Sequence, residues 1–406
     1  MRYFNELSED ELPALFYSPP GSFTNRSPQE LLAYAIGAAL YMPATRTTIA
    51  SDIVTGKLES LVTAVIDLED AVGDNEVEEA ERSAIQQLSR IALAIESGVM
   101  SLERLPLLFV RVRTAEQLER LLEELGHSAH VLTGFVFPKF TTANGERYFR
   151  LLERYNRTRA ADEPLLYGMP VLESASIIYK ESRLESLIGI KRLLDYYRPH
   201  VLNVRIGATD FSSLFGLRRS PETTVYDIAP IRDCIADIIN VFGRAQDGYV
   251  ISGPVWEYFA SSPNRLPLAS LRDSRLREAL LPELELSHAM LQGRREASGN
   301  GQLEREIMLD KENGIIGKTI IHPSHLRTVQ AMYAVTHEEY TDAFAIIAGS
   351  DGSLGVMKSE YSNKMNEMKP HYNWARRIMA RANIYGVLHE QQRYSDLLRE
   401  QDYARL

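Results

Sequence analysis

Two carboxylates stand at the ends of runs that read as buried strands. The run VLNVRIGATDF (201–211) is apolar and β-branched up to Gly207 and then presents Asp210; the run YGMPVLES (167–174) ends on Glu173 in the same way. Short apolar runs of this kind are the pattern of parallel strands covered on both faces, and each acid falls where such a strand emerges into solvent. Two carboxylates with no histidine or cysteine beside them form a hard oxygen site, suited to Mg²⁺ or Mn²⁺ and poorly suited to Zn²⁺. If both strands belong to one barrel, both acids overhang the same rim and can share a cation. A 2-oxo acid would displace water from that cation through its carboxylate and carbonyl oxygens.

Other polar residues close other apolar runs. Glu69 and Asp70 close the DLEDAV stretch, Arg111 closes LLFVRV, Lys139 closes GFVFPK and His322 closes TIIHP. A permanently charged guanidinium such as that of Arg111 is suited to stabilising the enolate formed when a carbon–carbon bond breaks, so the set describes a lyase. Each residue also has a purely structural reading. Arg111 and Lys139 could be ion-paired with Glu69 or Asp70, His322 could cap the turn before Pro323, and Glu173 and Asp210 could be solvated strand ends. Arg218 and Arg219 read as surface charge rather than as a phosphate clamp.

The elements that position these residues alternate. Strand-like cores occur at 40–42, 64–68, 108–112, 134–138, 167–172, 201–206, 249–252 and 317–321, and stretches with helical spacing such as EVEEAERSAIQQLSRIALAIESG separate them. Eight strand–helix units predict an α/β fold, a closed (β/α)₈ TIM barrel. An open doubly wound sheet is the competing architecture, but no G-x-G-x-x-G follows the first strand. The expected organisation is an N-terminal extension over 1–37, a barrel over 38–335 and a C-terminal helical cap over 336–406. A long insertion, about 254–313, follows the seventh strand and is broken by Pro263, Pro267 and Pro282. The segment Ser27-Pro28-Gln29-Glu30 predicts a capping box with proline at the first helical position.

Composition narrows the class of partner. A net charge of −10 over 406 residues disfavours nucleic acid and acidic membrane surfaces and leaves a small-molecule substrate. Cys234 is the only cysteine, which excludes an intrachain disulfide and a CxxC metal knuckle. The opening residues carry acids where a secretory signal needs an apolar core, and no run reaches membrane-spanning length, so a cytoplasmic protein is expected.

The motifs YMPATR, VIDLEDAV, FVRV, FVFPK, PVLES, GATDF and GKTIIHPSHL, in this order from about Leu40 to Leu326, resemble the citrate lyase β-subunit-like branch of the HpcH/HpaI aldolase superfamily. The resemblance implies a Mg²⁺-dependent enzyme that makes or breaks carbon–carbon bonds beside a 2-oxo acid or an acyl-thioester. It implies Glu173 and Asp210 as metal ligands and Arg111 as the enolate-stabilising residue; in the mechanism expected on that basis, Glu69, Asp70 or Glu367 moves the proton. Arg46, Lys139, Ala208, Thr209 and His322 lie within these motifs and would contact substrate. In the segment Asn363-Lys364-Met365-Asn366-Glu367, similar to a diverged form of a family pattern, Glu367 would be an acid supplied to a neighbouring subunit of a homo-oligomer, a trimer or hexamer. The chain departs from the family at Arg113, where asparagine is usual, and at Ala44, where glycine is usual. With its long insertion it resembles a divergent bacterial group of carbon–carbon bond lyases associated with tellurite-resistance clusters. These departures fall where coenzyme A would lie, so a thioester substrate is expected less than the metal. Thioester hydrolysis at the same site, or a non-catalytic ligand-binding or assembly role, are the competing functions.

Overall fold

The computed structural model describes residues 1–160, 163–259, 301–352 and 355–398. Eight parallel strands close into a barrel in chain order: β2 (Ala38–Pro43), β3 (Thr63–Asp67), β4 (Leu107–Arg111), β5 (Leu132–Phe137), β6 (Tyr167–Leu172), β7 (Val204–Ile206), β8 (Ile251–Trp256) and β9 (Lys318–Ile320). These are the eight runs expected from the sequence. Closure is direct, because β2 pairs with both β3 and β9, and it excludes the open sheet. β3, β5 and β6 are buried at every position, which is why their sequences are nearly continuous in apolar residues.

The helices between strands start where side-chain caps hold them. Thr114 accepts from the Gln117 amide ahead of Ala115–Leu125, and Thr141 with Asn144 forms a capping box ahead of Thr142–Asn156. The box expected at Ser27 does not form. Pro28 itself occupies the cap position of Gln29–Tyr34 without a side-chain bond, and Ser27 Oγ instead accepts from the Thr24 amide at 3.1 Å. Gln29, at the first position of that helix, donates to the carbonyls of Arg198 and Val201 under the barrel.

Two strand boundaries differ from the expectation. β7 is shorter, since Val201 makes only an isolated bridge to Gly168 and Asn203 bonds sideways to Ser252 at 2.7 Å. β8 runs on through Pro254 to Trp256, and its register with β9 breaks between Gly253 and Trp256, a local irregularity that accommodates a residue lacking an amide donor. The expected insertion therefore begins after Trp256. Residues 260–300 of it, with Pro263, Pro267 and Pro282, lie outside the described residues; 301–312 are helical.

The chain ends interlock. Tyr3, Phe4 and Phe23 join the barrel core, and Tyr3 donates to the Ala35 carbonyl at 2.8 Å. β1 (Phe16–Ser18) pairs antiparallel with β12 (Val387–Leu388). Beyond the barrel, helices His337–Ala348 and Met368–Tyr385 pack around Val335, Ala343, Ile346 and Met368, with the hairpin β10 (Val356–Lys358) and β11 (Met365–Glu367) beside them. Among the described residues no helix is long and apolar enough to cross a membrane.

Candidate active site

The pairing of Leu172 with Ile206 sets Glu173, just past β6, beside Gly207, just past β7. The glycine is there for space: a Cβ at Gly207 would lie 2.0 Å from Glu173 Oε2. Asp210 sits one turn further on, in the short helix Ala208–Ser213, and the Glu173 and Asp210 carboxyl groups come within hydrogen-bonding reach of each other. The Lys139 amide donates to Glu173 Oε1 at 2.7 Å, from a backbone at φ +46°, a region that costs a non-glycine residue energy and that the surrounding fold must enforce. Burial, reinforced by the Asp210 charge, pushes the Glu173 carboxyl up to about 8. Burial also raises Asp210, with the Asp70 charge adding to it. These are two crowded acids with little positive charge to offset them.

The neighbouring strands carry the opposite arrangement. Arg111, at the end of β4, holds Asp67 at the end of β3 through Nε and Nη2, each at 2.6 Å. Its Nη1 reaches Glu69 at 2.8 Å and Asp70 at 3.1 Å. Lys139 Nζ bonds Glu69, lies 3.4 Å from Asp70 and reaches only to 3.8 Å from Asp210. Burial raises Glu69 despite Arg111, whereas Asp70 is held low against burial by its bond with Glu69 and by the two cations. Arg113 straps the loop that carries these acids, donating to the carbonyls of Leu68, Glu69 and Val72 and pairing with Asp74 at 2.7 Å.

These groups open on a cavity of about 530 Å³ at the carboxyl ends of the strands, the face on which barrel enzymes carry their chemistry. Its walls include Tyr41, Asp67, Asp70, Arg111, Glu173, Arg205, Thr209, Asp210, Glu257 and Thr319. A cavity of about 560 Å³ at the opposite end is lined by Arg198, Arg244, Arg376 and Arg377, with Glu30 as its one acid, and offers no paired carboxylates. In and around the mouth, six carboxyl groups (Asp67, Glu69, Asp70, Glu173, Asp210 and Glu257) stand against four cations (Arg111, Lys139, Arg205 and Arg219), so carboxyl groups are in excess. That excess and the all-oxygen donor set fit a divalent cation such as Mg²⁺, which Glu173 and Asp210 would hold.

The remaining residues singled out in the sequence lie as follows. Thr209 lines the cavity and donates to Glu257 at 3.0 Å, and Ala208 is buried at the start of its helix. Arg46 pairs with Asp52 at 2.6 Å, outside the cavity wall. His322 caps the turn Pro323–His325 by accepting from the Ser324 amide and stacks on Phe259, which is the structural reading offered for it above. Glu367 is exposed in β11 and does not line the mouth of its own chain. Arg219 is not surface charge: it is buried against Glu257 at 3.1 Å and Glu306 at 2.6 Å, while Arg218 is exposed. Sequence reading missed Asp67, Glu257 and Arg205. The first and last had a visible signal, each being a charge on the inward-facing alternation of an apolar strand.

The family model described as C-C bond lyase of the TIM-barrel fold matches residues 30–387. The chain belongs to this family. No curated protein matches it. Among solved structures, this C–C bond lyase chain is similar to a citrate lyase from Burkholderia xenovorans LB400, at 15% identity and a TM-score of 0.57, over 87% of this chain and 93% of that one. It is also similar to CitE from Mycobacterium tuberculosis in complex with magnesium, acetoacetate and coenzyme A, at 17% identity and a TM-score of 0.48, over 86% of this chain and 99% of that one. At such identities the likeness to the Burkholderia enzyme speaks for the shared barrel of the C–C bond lyases.

Proposed function

We propose that this family member is a Mg²⁺-dependent lyase or aldolase that makes or breaks a carbon–carbon bond beside the carbonyl of a 2-oxo acid. The observation that carries the reading is the pair Glu173 and Asp210, crowded together with Lys139 Nζ no nearer than 3.8 Å from Asp210, in a mouth whose other acids are closely ion-paired. These two carboxylates hold the ion, and Mn²⁺ suits the same donors. When bound, such an ion supplies Lewis-acid polarisation of a substrate carbonyl. Arg111, fixed by two bonds to Asp67 and lining the cavity, is preorganised to stabilise negative charge developing on an enolate oxygen. Glu69 is raised by burial and lies against Lys139, so it, or Asp70 beside it, is suited to exchange a proton with the substrate carbon. Thr209 and Lys139 orient the substrate from the two flanks.

Glu367 belongs to a second copy's site in this reading. Phe344, Val356, Met365 and Trp374, all well exposed on the cap around it, support a homo-oligomer, a trimer or hexamer. A coenzyme A thioester would present the same acyl chemistry to the mouth and remains the alternative substrate form.

Isothermal titration of Mg²⁺ with oxaloacetate or glyoxylate tests the reading. Expected is binding that EDTA abolishes in the wild type and that Asp210→Asn removes. Binding indifferent to EDTA, or retained by Asp210→Asn, overturns it.

A further inference from the structure

Arg205 is the one charge within β7, and it points inward. Thr319 on β9 and Tyr41 on β2 are not on strands adjacent to β7, yet Arg205 Nη2 donates to Thr319 Oγ1 at 2.7 Å and its guanidinium lies 5.8 Å from the centre of the Tyr41 ring. Only a side chain crossing the barrel interior reaches both. It is 1% exposed, and its Nε and Nη1 have no hydrogen-bond partner. The acids of the mouth do not pair with it, since Asp67, Glu69 and Asp70 are held by Arg111 and Lys139. A guanidinium buried without a carboxylate is costly to the folded chain, and evolution keeps such groups where a ligand completes them.

Its height in the barrel defines what completes it. Arg205 pairs with Val171, two residues below Glu173 on the neighbouring strand, so its backbone lies one inward-facing layer, roughly 7 Å along the strand, beneath Glu173. Arg205 nevertheless lines the same cavity as Glu173 and Asp210 do. A molecule held at Glu173 and Asp210 by one end thus meets Arg205 with the other.

We propose that Arg205 receives a second carboxylate of the substrate, so that the enzyme takes 2-oxo dicarboxylates in preference to 2-oxo monocarboxylates. This rests on the proposed metal site for one end of the substrate. Arginine suits the task because its planar fork meets both oxygens of a carboxylate. The Tyr41 ring at the guanidinium face and Thr319 at one edge leave Nε and Nη1 for the ligand.

The test is calorimetric titration of oxaloacetate and of pyruvate into the full chain, in Mg²⁺ and in EDTA, for wild type, Arg205→Met and Arg205→Lys. Expected in Mg²⁺ is tighter binding of oxaloacetate by the wild type, a loss of about ten- to a hundredfold for oxaloacetate in Arg205→Met, and a change of less than about threefold for pyruvate. Arg205→Lys keeps the charge and loses the fork, so it should fall between. Equal effects on both ligands, or none on oxaloacetate, overturn the assignment. The metal reading fails separately: if EDTA changes nothing but Arg205→Met still weakens oxaloacetate alone, the metal goes and the carboxylate site stays. Without ligand, Arg205→Met should melt at or above the wild-type temperature, because it removes an unpaired buried charge; a large drop would mark Arg205 as structural and also overturn the proposal.

Discussion

Behind the last two barrel strands, Lys318 donates to Glu306 at 2.7 Å and to Asp310 at 2.9 Å, while Arg219 reaches Glu306 from the other side at 2.6 Å. Tyr226 and the Val225 amide fill further lone pairs on the same acids. In the mouth, on and just past β6 and β7, Glu173 and Asp210 crowd one another and Arg205 has no carboxylate. Both clusters are built from buried acids and cations, and the difference is whether opposite charges meet. The closed cluster fastens helix 301–312 to β8 and β9; a Cβ at Gly253 would come within 2.8 Å of Asp310, so this helix approaches the sheet closely. Glu173, Asp210 and Arg205, unlike the other charges of the mouth, have no close opposite charge, which costs stability and leaves binding energy available to an ion and an anionic substrate.

Substitutions on the two sides should therefore fail in different ways. Asp210→Asn should have the largest effect, a loss of Mg²⁺-dependent turnover of at least about a hundredfold, with the melting temperature of the metal-free protein unchanged or higher, since one of two repelling acids is neutralised. Activity assays and calorimetry read both. Lys318→Met should do the reverse. It strands Asp310 and leaves Glu306 to Arg219 alone in a dry interior, and should lower unfolding free energy by about 3–5 kcal/mol in urea titrations, while the folded fraction still binds Mg²⁺ and oxaloacetate. If Lys318→Met weakened that binding instead, the separation between the two clusters would be wrong.

How much of this was readable beforehand follows from where each residue lies. The barrel was legible because its strands are buried on both faces and so are written as apolar runs, and because each is followed by a helix with a one-sided apolar stripe. Glu173, Asp210 and Arg111 were legible because they stand directly at strand ends. The bidentate partner of Arg111 was not: Asp67 was passed over for Glu69 and Asp70, although positions 67 and 69 share one face of the strand and only the first sits level with Arg111 in the register. Arg205 carried a signal, a charge on the inward-facing alternation of VLNVRIG, but beside Asn203 in the same run it reads as a blemish in a core strand. Arg219 and Glu257 depend on Glu306 and Thr209, far apart in sequence, and no local pattern could announce their burial.

The rim after β9 gives a pH test of the closed side. His325 is buried, and its Nδ1 has no partner; burial, with His322 and Lys318 nearby, pushes its pKa down to about 4. The unfolded chain takes up a proton near pH 6.5, and the folded chain does not until about pH 4. This contribution to stability is therefore full above pH 6.5 and is lost as pH falls through that window, by at most about 3 kcal/mol. Glu173, raised to about 8, acts with the opposite sign over the same range, so the His325 part is read as the difference between wild type and His325→Gln in unfolding free energies from pH 8 to 4, a difference that should grow as pH falls below 6.5.

The smallest expected effect probes the open side without altering a charge. Gly207 has φ of −102°, a value any residue tolerates, so its lack of a side chain is needed for room and not for backbone freedom. A methyl group there would meet Glu173 Oε2 at 2.0 Å and Glu173 Cβ at 2.6 Å. Rotation of the carboxylate alone cannot relieve the second contact, so Gly207→Ala must spread β6 from β7 or swing the whole side chain away from Asp210. Overpacking of this kind costs roughly 1–3 kcal/mol, and the two acids should lose part of their common grip on the ion. Mg²⁺ affinity should fall about tenfold, which corresponds to ~1.4 kcal/mol, while the Lys318 cluster remains as before. A variant that unfolds readily yet binds Mg²⁺ as the wild type does would show that the spacing of Glu173 and Asp210 is a packing feature of the barrel and not the basis of its metal site.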